Sequence, residues 1–246
     1  MTTKVAVVGA TGKMGQLSAR IIEQASDLEL FAALGSKDDL VSVLGADVIL
    51  DFTIPAVSAD VVEFAIQHDI NVLVGTSGWS NERIATLSAS LREHPEVGVV
   101  IVPNFSIGSV LATSFAATAA RFYDSIEIIE AHHASKLDSP SGTATRTAEL
   151  IGAARIAQGP VIAPHADQRA RGQQVASVPI HSLRMQGIVA KQDVVFGGDG
   201  EVLTITHETL SPSSYEKGIL LALRALPSAH GVLVGLDKVI DLGTEE

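Results

Sequence analysis

Within residues 127–144 the chain places two adjacent histidines, His132 and His133, a lysine at Lys136, and the run Ser141-Gly142-Thr143 after Pro140. An imidazole can give up a proton near neutral pH, and an ammonium can hold an anion as a point charge. Together they suit a reduction in which hydride reaches one carbon and a proton its neighbour. Pro140 stops a loop, and Ser141 is placed as the N-cap of a helix. The N–H groups of Gly142 and Thr143 then fall among the unpaired donors of the first helical turn. Glycine at 142 leaves no side chain to block an approaching anion. Backbone donors, helix dipole and Lys136 would together form a carboxylate site. A surface histidine beside a common type of helix start stays open as the plainer reading of these residues.

A second candidate site opens the chain. Gly9-Ala10-Thr11-Gly12-Lys13-Met14-Gly15 follows a short apolar run and precedes a helix-like segment, a G-x-x-G-x-x-G variant of the dinucleotide fingerprint. Glycines there permit a tight turn and let backbone N–H groups approach a pyrophosphate at the helix start. The acid that binds the ribose of NAD is expected at the end of the second strand. That position holds Gly35, followed by Ser36 and Lys37, which could instead bond and neutralise a 2′-phosphate. The expectation is tolerance of NADPH beside NADH, against the alternative that Lys37 is one solvated loop charge. Gly75-Thr76-Ser77-Gly78 and Val102-Pro103-Asn104-Phe105-Ser106 lie where further parallel strands end, the edge at which ligands bind. Their small and hydroxyl residues could admit a nicotinamide and bond its amide, or serve as ordinary turns.

The elements that must position these groups can be read from periodicity. Strands are predicted at Lys4–Val8, Glu29–Leu34, Asp47–Phe52, Asn71–Gly75 and Gly98–Val102, where continuous apolar runs suit burial on both faces. Helices are predicted over Gly12–Ala25, Ala56–His68 and Asn81–Glu93, the first with Met14, Leu17, Ile21, Ile22 and Ala25 on one stripe. Alternating strands and helices imply a doubly wound parallel sheet of Rossmann type. Beyond about residue 125 the pattern changes. Ser125–His132 reads as a strand and Ser141–Ala157 as a helix, and Gly159–Gln174 reads as a loop. Val175–Arg184, Ile188–Phe196 and Glu201–Glu208 read as closely spaced strands, the last two joined at Gly197-Gly198-Asp199-Gly200. This predicts a smaller α+β domain with a mixed sheet. Tyr215–Leu226 is a last helix and Val232–Gly235 a last apolar segment, and periodicity does not assign them to either domain.

Composition narrows the function classes. The 246 residues include 17 basic and 28 acidic side chains, a net charge of −11, which disfavours nucleic acid and anionic membranes as main partners. Cysteine is absent, which removes disulfides, thiolate metal sites and thiol nucleophiles. No metal site is expected. No apolar run reaches the ~18 residues of a membrane span, and the segment after Met1-Thr2-Thr3-Lys4 is too short for a signal-peptide core. The expectation is a soluble, cytoplasmic protein.

From Glu127 to Ala144 the chain resembles the signature E-x-x-E-x-H-H-x-x-K-x-D-x-P-S-G-T-A of the 4-hydroxy-tetrahydrodipicolinate reductase (dihydrodipicolinate reductase) family at every fixed position. Supporting matches are the glycine loop, Asp51-Phe52-Thr53 with Pro55, the Gly75–Gly78 loop, Pro103–Ser106, His181-Ser182-Leu183-Arg184 and Phe196-Gly197. The resemblance implies NADH- or NADPH-dependent reduction in lysine and diaminopimelate biosynthesis, with a proton from His132 and Lys136 as its catalytic partner. It implies His133, Lys136, Ser141, Gly142 and Thr143 as carboxylate contacts. Gly9, Ala10, Thr11, Gly12, Lys13 and Met14, with Gly75, Thr76, Ser77, Val102, Pro103, Asn104 and Phe105, would bind the cofactor. It also implies a nucleotide domain over 1–106 with 216–246, a substrate and oligomerisation domain over 107–215, and a homotetramer built through the mixed sheets. Gly35, Ser77 and Lys191-Gln192-Asp193 depart from the common pattern. Two rivals compete. A semialdehyde dehydrogenase needs the missing thiol, and a nucleotide-sensing regulator needs a partner surface or a DNA-binding element, for which the sequence offers neither a basic recognition helix nor a basic arm.

Overall fold

The computed structural model describes residues 2–240. In chain order the elements are β1 (Thr3–Val8), α1 (Lys13–Gln24), β2 (Leu28–Leu34), β3 (Val48–Asp51), α2 (Pro55–Gln67), β4 (Asn71–Val74), α3 (Asn81–Ser90) and β5 (Gly98–Ile101). They continue with α4 (Ile107–Ala119), β6 (Ser125–His132), α5 (Gly142–Ala154), β7 (Gln173–Val175), β8 (Val178–Arg184), β9 (Ala190–Gly198) and β10 (Glu201–Thr209). Last come α6 (Glu216–Ala225) and β11 (Gly231–Val234). Two compact units result, one from residues up to 105 and from 215 onward, the other from Ser106–Ser214. Each boundary falls one residue before the expected one. Met1 and 241–246, which the sequence reading places in the first domain, lie outside the described residues.

The first unit is a six-stranded sheet in the order β11-β5-β4-β3-β1-β2, with every pair parallel. The apolar runs are its core: Val5, Ala6, Val7, Val48, Ile49, Leu50, Val99 and Val100 are all 0% exposed. Strands so apolar on both faces need helices on both, and helical crossovers supply them. The chain moves from β1 outward to β2 and then back past β1 to β3, so the topological switch point lies between β1 and β3. There the ends of neighbouring strands leave room for a ligand. Both C-terminal pieces return to this unit: β11 extends the sheet beside β5, and α6 packs on α1.

The second unit is a five-stranded mixed sheet, β10-β9-β6-β8-β7, in which only β6 and β8 run parallel. Alternation along β6 sends Ile126, Ile128 and Glu130 to one face, where α4, the turn that follows it and α5 supply Ala116, Ala120, Ala144, Ala148 and Ile151 to the same core. The opposite face carries Glu127 and Ile129.

Two elements differ from the sequence reading. Helix α4 is unanticipated, because 107–119 contain no charged residue and show no polar stripe. The predicted strand Val175–Arg184 is a hairpin: β7 and β8 pair antiparallel, and Ala176 and Ser177 turn the chain at φ of +47° and +69°. Neither residue is the Gly, Asn or Asp that favours positive φ in a two-residue hairpin loop, so nothing local marks the reversal.

Candidate active site

In the second unit β6 delivers His132 at its end, and the loop 133–140 returns to start α5. One buried side chain joins these pieces. Glu130, 0% exposed, accepts hydrogen bonds from His132 Nδ1 (2.6 Å), from both terminal nitrogens of Arg184 (2.9 and 2.8 Å) and from the Ser141 N–H (3.2 Å). Burial pushes its carboxyl pKa up, but the bonds from Arg184, Ser182 and His132 outweigh that and hold it below the ordinary value. The group is therefore a carboxylate at neutral pH. Arg184 lies on β8 directly opposite His132 and also donates to the Asp138 carbonyl at 2.7 Å, pinning the loop.

The His132 side chain is 16% exposed. Burial lowers its pKa, the Glu130 carboxylate works against that, and Lys136 and Arg184 add to the lowering; the net shift is downward. Lys136 Nζ rests 2.7 Å from Asp138 Oδ1, a solvent-reached ion pair of small net worth. An incoming carboxylate can therefore take its place at little cost. Ser141 is the N-cap of α5, its Oγ accepting from the Ala144 N–H at 3.2 Å. Next to it, Gly142 has no heavy atom within 4 Å of where a Cβ would stand, so that side of the helix start is open. Thr143 follows in the same turn. The structure thus links His132, Ser141 and the Lys136 loop through Glu130 and Arg184. His133 stands apart from that network, exposed, with Nδ1 2.8 Å from Ser135 Oγ.

In the first unit the three predicted cofactor segments follow β1, β4 and β5 on one edge of the parallel sheet, where β1 and β4 flank β3 and β5 lies beyond β4. Gly9 has φ of +87°, and a Cβ there would stand 2.4 Å from the Phe52 carbonyl oxygen; one on Gly15 would stand 2.2 Å from the Gly9 oxygen. Both glycines are required by close packing. Gly12 is different: it is the N-cap of α1 with no side-chain bond, and an added Cβ would meet only the Gly9 oxygen at 3.4 Å. The turn through Ala10, Thr11, Lys13 and Met14 thus presents a bare helix start, which fits the pyrophosphate of a dinucleotide. At the β2 tip the Gly35 N–H donates to Asp38 Oδ2 at 2.7 Å, while Ser36 and Lys37 are exposed.

The Gly75 loop is held by Phe52 and Phe105, whose rings lie 5.6 Å apart and would clash with any Cβ at 75. Thr76 Oγ1 reaches the Asp51 carbonyl at 3.4 Å, and Ser77 is exposed. Val102 is bonded to Val74, Pro103 is exposed, and Asn104 is half-buried. Among the described residues no group of three or more His, Asp or Glu side chains could hold a metal.

Two family models cover the chain: dihydrodipicolinate reductase, N-terminus, over residues 3–105, and dihydrodipicolinate reductase, C-terminus, over 108–240. The chain belongs to the dihydrodipicolinate reductase family. It is 69% identical over 242 residues to the 4-hydroxy-tetrahydrodipicolinate reductase of Clavibacter michiganensis subsp. michiganensis, covering 98% of this chain and 87% of that one. Identity to the enzyme of that name from Streptomyces griseus is 46% over 245 residues, covering 97% and 98%. Among solved structures, the dipicolinate-bound dihydrodipicolinate reductase from Paenisporosarcina sp. TG-14 superposes with a TM-score of 0.85 at 30% identity, covering 98% of this chain and 100% of that one.

Three groups of this hydrogen-bonded network escape a motif-by-motif reading: Glu130, Arg184 and Asp138 stand in matched motifs but receive no role there. A signal for Glu130 did exist. Period-2 alternation puts it on the buried face of Ile126 and Ile128, where a carboxylate needs a cation. Which cation answers is a matter of strand pairing, and β8 lies 54 residues away in sequence.

Proposed function

We propose that the chain reduces 4-hydroxy-tetrahydrodipicolinate (or its dehydrated form) to tetrahydrodipicolinate with NADH or NADPH, a step of lysine and diaminopimelate biosynthesis. The observation that carries this reading is one hydrogen-bonded network that presents a histidine, a displaceable lysine and an open, serine-capped helix start on the same strand end. Ser141, Gly142 and Thr143 at the α5 start, with Lys136 and His133, hold the two substrate carboxylates. Lys136 exchanges Asp138 for the ligand. When bound, the reduced nicotinamide supplies the hydride.

His132 gives the proton to the carbon next to the one that is reduced. In the free protein its pKa is lowered; two arriving carboxylates favour the imidazolium and charge the group only when it is needed. The first unit holds the dinucleotide through Gly9–Met14, Gly75–Ser77 and Val102–Phe105, and the second binds substrate. Loss of reduced-nicotinamide absorbance with freshly generated substrate tests the activity. Cofactor binding with no turnover would refute it.

The face of the mixed sheet away from α4 and α5 bears exposed Ile129, Leu183 and Val202. Such a face favours assembly, and a homotetramer formed through it is the proposed state. Sedimentation of wild type and Val202→Arg tests this, and a monomeric wild type would refute it. The proposed place of action is the cytoplasm, where reduced nicotinamide nucleotides are held. No helix among the described residues is long and apolar enough to cross a membrane.

A further inference from the structure

We propose that Glu130, clamped by Arg184, is the positioning residue of this site: its one carboxylate fixes the ring of His132 and the start of α5 at the same time. The inference rests on the reading of His132 as proton donor and adds to it the group that makes the donor competent.

Glu130 is fully buried and touches no solvent, so it acts only through its neighbours. Oε2 receives His132 Nδ1 and one Arg184 nitrogen; Oε1 receives the other Arg184 nitrogen and the Ser141 N–H. A carboxylate only accepts, so His132 Nδ1 must carry a hydrogen and Nε2 is the position that gains and loses the proton. The same oxygen pair sets where the α5 N-terminus stands relative to that ring. Arg184 completes the clamp by holding the Asp138 carbonyl, and so the segment that carries Lys136. Its Nε is buried without a partner, so the fork is committed to the carboxylate and leaves one of its own donors unsatisfied. A pair serving stability alone would need neither the histidine nor the helix start as further partners.

The charged groups facing His132 are Glu130 on its own strand, Arg184 on β8, and Lys136 from the loop, itself paired with Asp138. The β9 residue opposite His132 is Ala190 and brings no charge.

The test compares wild type, Glu130→Gln, Arg184→Lys and His132→Ala. Imidazole ¹⁵N NMR of the wild type should show neutral His132 with the hydrogen on Nδ1. Glu130→Gln should abolish that preference and lower kcat by up to about 10⁴-fold, the loss that replacing a histidine's orienting carboxylate by its amide causes elsewhere, with NADH affinity unchanged. Its alkaline loss of activity should begin at lower pH, because the carboxylate that favours the imidazolium is gone. Arg184→Lys should show the same changes in weaker form.

A wild-type His132 with its hydrogen on Nε2 overturns the proposal, and needs no variant to fold. Wild-type kcat and pH profile in Glu130→Gln overturn it as well. If His132→Ala retains normal turnover, the reading of the proton donor fails instead, so the two failures are distinguishable.

Discussion

Gly142→Ala separates the carboxylate cradle from the fold. Nothing lies within 4 Å of the added methyl, so the substitution introduces no clash in the free protein. Alanine restricts the unfolded chain more than glycine does and suits a helix better, so stability should rise by about 0.4–1 kcal/mol. A carboxylate seated against the Gly142 N–H meets that methyl directly. Loss of one hydrogen bond to a charged group is worth about 1.5–3 kcal/mol, or roughly 10- to 100-fold in affinity. The assay is calorimetric titration with dipicolinate beside thermal unfolding of the same sample. Weaker dipicolinate binding in a more stable protein, with NADH affinity unchanged, is the expected outcome. Equal dipicolinate affinity in variant and wild type would refute the placing of a carboxylate at the α5 start.

Other expectations are as direct. His132→Ala and Lys136→Ala should each lower kcat by roughly 10²–10⁴-fold in steady-state assays, and near-normal turnover in both would remove them from the mechanism. Lys37→Ala should raise the KM for NADPH by about tenfold while leaving that for NADH unchanged, since only the 2′-phosphate offers it a charge to bond. Gly9→Ala should destabilise by at least about 2 kcal/mol in urea unfolding, from left-handed backbone and the contact with Phe52 together.

Acid should weaken the fold in two steps. Half-buried His132 and His207 have pKa values lowered by desolvation, so the unfolded chain takes up protons first and stability falls as pH drops below the ordinary histidine value of about 6.5. Glu127 and Glu130 are also lowered, net of burial acting against Arg171 and Arg184, so a second loss follows below the ordinary carboxylate range. Urea midpoints that are flat from about pH 7.5 to 5 would contradict the first step, and no further fall from about pH 4.5 to 2.5 would contradict the second.

Much of the architecture was legible because it is periodic. Val5–Val8, Val48–Leu50 and Val99–Ile101 are apolar without a break, and only strands covered on both faces can use them. The glycine loop was legible because Gly9 and Gly15 are backbone requirements visible as spacing. Helix α4 was hidden for the opposite reason, as an apolar segment with no polar face has no period to detect. The β7–β8 reversal was hidden because Ala176 and Ser177 take positive φ without the Gly, Asn or Asp that announces it.

The chemistry divides along the same line. Residue type and short spacing single out His132 and Lys136 as candidates and mark the Ser141 cap, since an imidazole, a point cation and a helix start are local properties. That Glu130 is ionised inside the core, that Arg184 rather than another cation answers it, and that Asp138 occupies Lys136 follow from strand register and loop closure. Those are set by pairings between distant segments, and the free energy of a buried charge depends on its partners and solvent exposure, which residue order alone does not specify.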